Sequence, residues 1–75
     1  MVDMRVFIID IDTQKRQVTF WHEDMQRTAP YNRPVEKHLK EALEKRMHIV
    51  IHFNWTDRIS KIHQIGDRVF DNHGR

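Results

Sequence analysis

Only one stretch of this chain has the apolar spacing of an amphipathic helix, so any sheet it builds has a helix for one face and none for the other. Val35, Leu39, Ala42 and Leu43 fall at i, i+4, i+7 and i+8, a single stripe. On the opposite side Glu36 pairs with Lys40 and Glu41 with Lys45 in the favourable i, i+4 order, which reads as a solvated surface. Pro34 suits the first turn, where a missing N–H costs nothing, and Asn32 is placed to cap it. Arg46 would point into the stripe, so the helix is expected to end near Lys45.

Residues 4–12 (MRVFIIDID), 17–23 (QVTFWHE) and 47–54 (MHIVIHFN) are dense in β-branched and aromatic side chains and predict strands. The polar run between the first two marks an antiparallel hairpin, with no Asn-Gly or Asp-Gly pair to fix its turn. Residues 24–33, which include Pro30, read as a connector. After the third strand two readings stand open. Thr56 could cap a short helix over residues 57–65 that stops at Gly66, or residues 58–65 form a fourth strand. Ile59, Ile62 and Ile65 recur every three residues, which a strand accommodates only with a bulge, yet the density of Ile favours the strand. Val69-Phe70 is expected as a last short element, and residues 71–75 are expected to fray. The expectation is one α+β domain over residues 1–75, a small antiparallel sheet in the order ββαβ(β).

Successive side chains of a strand point to opposite faces. Applied strictly, that rule puts Phe7, Ile9, Val18, Phe20, Ile49, Ile51 and Phe53 beneath the helix. Val6, Ile8, Trp21 and Val50 are left on the other face with His48 and His52. Such a face is too apolar for plain solvent and too rich in histidine for an ordinary core. These six are therefore the candidate partner-binding residues, with Trp21 as anchor. The competing reading has the C-terminal segment, with Ile59, Ile62 and Phe70, folding back over that face.

With 75 residues the chain can build one core, and domains of this size bury only about 60–65% of their unfolded surface. No cysteine is present to add disulfides or thiolate zinc sites, which leaves self-association, as a homodimer, as the ordinary reinforcement. The absence of cysteine fits a reducing compartment. Met1-Val2-Asp3-Met4-Arg5 has neither the basic region nor the apolar stretch of a secretory signal, and the apolar runs are too short to span a bilayer. A cytoplasmic protein without a membrane partner is expected.

The pI of about 9.3 invites a nucleic-acid reading, but net charge is only +2, from 13 basic against 11 acidic residues. Residues 1–33 hold five of each sign, and no later segment gathers a basic stripe. A nucleic-acid-binding regulator would have to use dispersed Arg5, Lys15, Arg16, Arg27, Arg33, Arg58 and Lys61, with Trp21 or Trp55 stacking on bases.

Catalytic motifs are sparse. Asp10 and Asp12 project to one side of a strand end, and this resembles the opening of ribonuclease-H-like folds. No later acidic partner is identifiable, and a strand running into a polar turn explains the pair better. His48 and His52 stand four strand residues apart, about 13 Å, too far for one ion. A metal site assembled across strands, such as His52 with His63 or His22, is the form such a site could take, and no cofactor or metal is expected. Ser60 is the only serine, and there is no nucleophile elbow or phosphate loop. A metal-independent, toxin-like ribonuclease needs only scattered His, Arg, Lys and Tyr, which leave no linear motif. The segment 36–62 is similar in hydrophobic rhythm to YolD-like proteins, but the N-terminal strands depart from that family's order, and no residue role is carried over. The leading expectation is a small non-catalytic protein-binding module, a regulator or inhibitor acting through the uncovered sheet face.

Overall fold

The computed structural model describes residues 2–69. The chain runs β1 (Val2–Asp12), β2 (Gln17–His22), β3 (Met25–Pro30), a 3-10 turn (Arg33–Val35), α1 (Glu36–Lys45), β4 (His48–Phe53), β5 (Ile59–Ile65) and β6 (Arg68–Val69). All six strands form one antiparallel sheet in the order β3-β2-β1-β4-β5-β6. The fold is α+β, βββαβββ, and the expected last short element appears as β6. Phe70 and the tail predicted to fray lie outside the described residues. Among the described residues no helix is long and apolar enough to cross a membrane.

One strand was not expected. Residues 25–30 form the edge strand β3, joined to β2 by a turn at Glu23-Asp24, with His22 opposite Met25. Only Ala29 is buried there, and Pro30 ends the strand, as an edge tolerates. A strand with one buried residue leaves no alternating pattern to read.

Residues 59–65 are strand and not helix, and two bulges explain their threefold spacing. Val50 faces Gln64 and Ile51 faces Ile62, so His63 is an extra residue; His52 faces Lys61 and Phe53 faces Ile59, so Ser60 is another. Each bulge shifts the alternation by one, and Ile59, Ile62 and Ile65 all enter the core. These isoleucines therefore do not fold back over the helix-free face.

A third bulge overturns the expected faces of β1. Ile8 faces Phe20 and Asp10 faces Thr19, which leaves Ile9 extra. Strict alternation put Phe7 and Ile9 beneath the helix, but Val6 and Ile8 lie there instead. Val6 and Ile8 are 1% and 2% exposed, in one core with Val18, Phe20, Ile49 and Ile51, while Ile9 is 36% exposed. Val6 and Ile8 are therefore core residues and leave the candidate surface.

The sheet curls around the helix until its ends meet. Tyr31, just past β3, bridges in parallel to Ile59 of β5, although three strands separate β3 from β5. The Asn32 N–H donates to the Ile59 carbonyl at 2.8 Å. Arg58 donates through Nε to Asn32 Oδ1 and through Nη2 to the Tyr31 carbonyl, each at 2.9 Å. Asn32 does stand at the N-cap position, but its side chain makes no cap bond because Arg58 takes it. Tyr31 is fully buried, and its hydroxyl donates to Glu36 Oε1 at 2.9 Å.

At the other end of α1, Arg46 takes a left-handed conformation (φ 54°, ψ 50°). Its N–H donates to the Leu43 carbonyl, and the Met47 N–H to that of Ala42, which is a Schellman cap. Only glycine adopts this conformation without cost. Arg46→Gly should therefore raise unfolding free energy by about 0.5–1 kcal/mol, read as a higher urea midpoint at unchanged slope. No change would mean that the arginine side chain offsets its backbone strain.

Burial first, and the bond to Glu36 second, push the Tyr31 hydroxyl up to about 12 from 10.0. A raised folded value stabilises fully below the unfolded value and is lost as pH climbs through the folded one. Stability should fall between about pH 10 and 12, and Tyr31→Phe should flatten that fall while costing about 1 kcal/mol at neutral pH. Tyr31 is the chain's one tyrosine, so tyrosinate absorbance reports it alone, and a midpoint near 10 would show a solvated hydroxyl.

Candidate functional site

The helix packs on the concave side of the sheet, and among the described residues nothing lies over the other side. Register sets what that open face displays. Trp21 of β2 faces Phe7 of β1, and Phe7 faces His48 of β4. Three rings therefore stand in one row across three strands. The Phe7 and His48 centroids are 5.2 Å apart with planes tilted by 54°, and Trp21 is 42% exposed. Arg5, His22 and Glu23 join these rings around a depression of about 360 Å³.

The next row along β1 and β4 is Arg5 opposite Val50, and the one beyond is Asp3 opposite His52, with Lys61 of β5 on the far side of His52. His52 Nδ1 lies 2.6 Å from Asp3 Oδ1. The bulge at His63 brings a second imidazole to the same carboxylate, Nε2 to Oδ1 at 3.4 Å. The two rings meet edge to face, 5.5 Å between centroids. The hydrogen bond from His52, with smaller help from the charge of His63, holds the Asp3 carboxyl below the usual carboxylate range. Asp3, His52 and His63 offer one ligand atom each, all within 4.8 Å of one another. Among the described residues this is the one cluster that could hold a metal ion.

Of the six residues expected to bind a partner, Trp21, His48, Val50 and His52 lie on the open face, and Val6 and Ile8 do not. Phe7, which strict alternation placed in the core, is the centre of the ring row. The threefold step from Ile8 to Ile11, the same as in Ile59 to Ile62, was the signal that could have revealed it. Asp3 lay before the predicted first strand, residues 4–12, and carried no signal; β1 in fact begins at Val2.

The seven basic candidates are not brought together. Arg5 and Lys61 share the open face. Lys15 and Arg16 sit in the β1–β2 turn, Arg33 in the 3-10 turn, and Arg27 lines a concavity on the helix side beside Met4, Phe20 and Phe53. Arg58 is committed to Tyr31 and Asn32. Trp55, 84% exposed, stands in the β4–β5 turn. Asp12 accepts the Gln14 and Lys15 N–H groups at 3.1 Å each, the work of a turn residue. No family model matches the chain, and neither a curated protein nor a solved structure is significantly similar to it.

Proposed function

We propose that this chain is a small protein-binding module, a regulator or inhibitor rather than a catalyst, that works through the open sheet face and pairs first with a second copy of itself. The observation that carries this reading is the row of Trp21, Phe7 and His48 on a face that no element among the described residues covers. An aromatic row costs free energy in water and gains by contact with another apolar surface. The face also carries both signs, Asp3 and Asp10 against Arg5 and Lys61, so it complements itself under a two-fold axis. Two sheets packed face to face, about 10 Å apart, would bury the row at its centre.

A second reading has one observation in its favour. The depression that holds Phe7 and Trp21 also gathers Arg5, His22, Glu23 and His48, which together could stack a base, hold a phosphate and supply acid–base groups for RNA cleavage. Balanced charge weighs against it, because phosphate binding needs several cations on one face.

Sedimentation velocity over a concentration series separates the two. The wild type should dimerise with little dependence on salt, and Trp21→Ala, folded by circular dichroism, should weaken the dimer about 30-fold or more, as loss of a central aromatic does. A monomer at every concentration removes the pairing. RNA binding that weakens steeply with salt, or RNA cleavage in the presence of a chelator, would establish the second reading instead.

A further inference from the structure

We propose that Asp3, His52 and His63 form a binding site for a divalent first-row transition metal ion of the zinc type, held between β1, β4 and β5. Each ligand comes from a strand whose neighbours are fixed by the sheet ladder, and none comes from a loop. Pairing places Asp3 directly opposite His52. His63, two residues beyond the Lys61 that faces His52 and itself the extra residue of a bulge, supplies the third ligand.

The distances suit the ion. Around tetrahedral zinc, with bonds near 2.0–2.2 Å, ligand atoms stand about 3.3–3.6 Å from one another. Asp3 Oδ1 to His63 Nε2 is already 3.4 Å, and Asp3 Oδ1 to His52 Nδ1, at 2.6 Å, is a proton-bridged contact that metal entry would open slightly. No pair exceeds 4.8 Å, so small rotations about the side-chain bonds close the site.

The chemistry selects the class of metal. Two imidazoles and one carboxylate suit a borderline cation, whereas calcium and magnesium prefer all-oxygen shells. The His52 and His63 side chains are 21% and 31% exposed and that of Asp3 56%, so the ion has a path in and keeps an open coordination position toward solvent. That is the pattern of a three-ligand site rather than a closed structural one. Asp3 is ionised at neutral pH, ready as an anionic ligand. The cluster stands four strand residues, about 13 Å, from the ring row, and neither needs the other.

The test uses the full chain, stripped with chelator and titrated with zinc chloride by calorimetry, and with cobalt chloride by absorbance. One zinc should bind per chain and raise the melting temperature. Asp3→Asn and His63→Gln should each weaken binding tenfold or more, while His38→Gln on the helix should leave it unchanged. Cobalt should give the intense visible bands of a four- or five-coordinate site. Equal zinc affinity in the wild type and an Asp3→Asn, His63→Gln double variant would overturn the site. So would a cobalt spectrum no different from the aquated ion. Asp3 is exposed, so Asp3→Asn keeps the test open should the histidine variant fail to fold.

Discussion

A ten-residue helix is about 15 Å long and 10 Å wide, whereas six strands laid flat would spread over about 24 Å. The mismatch governs this molecule. The sheet meets it by curling, so that Tyr31 and Asn32 at one end reach Ile59 and Arg58 at the other. Curling lets Val35, Leu39 and Ala42 of the helix region seal a concave side lined by Val6, Ile8, Val18, Phe20 and the isoleucines of β4 and β5. It does nothing for the convex side. There, among the described residues, the strands alone supply the surface, and they display rings.

How much of this the sequence revealed depends on where the strands are regular. β2 and β4 alternate cleanly along Val18–Phe20 and Ile49–Ile51, so their inward and outward residues were legible, Trp21 and His48 among them. β1 was misread because Ile9 is a bulge, and one extra residue reverses every inference drawn across it. In β5 the threefold step of the isoleucines spoke against a regular strand, which was preferred for its density of Ile, and two bulges reconcile the two. β3 was invisible because an edge strand that buries one alanine carries no apolar rhythm. The pairing of His52 with His63 was conceivable from sequence as one arrangement among several. Asp3 could be placed beside them only by register, which no linear pattern records.

The same turns that shape the sheet also draw down its stability. Arg16, Glu23, Arg46 and Asp57 all have positive φ, where each side chain costs about 1 kcal/mol, against the 5–15 kcal/mol that holds a typical domain together. Gly66, at φ 58°, is the one such described position that has a glycine, and a Cβ there would stand 3.1 Å from Met47 Cε. A fold with so little margin is tightened by anything that binds its native form, in proportion to the logarithm of ligand concentration.

The position of β1 carries a consequence for how the molecule is made. It precedes every other element yet lies in the middle of the sheet, between β2 and β4. β2 and β3 follow it through short turns and can zip up locally as a meander while the rest is being synthesised. Its second neighbour arrives only with residue 48, so Asp3 to Val6, which lie beyond the β1–β2 ladder, must wait with backbone groups unpaired until the helix has emerged and β4 can close over them. Formation of the β1–β4 ladder is then a long-range event, of the kind that slows folding. Until it occurs, a nascent chain exposes the kind of edge that neighbouring polypeptides are quick to occupy.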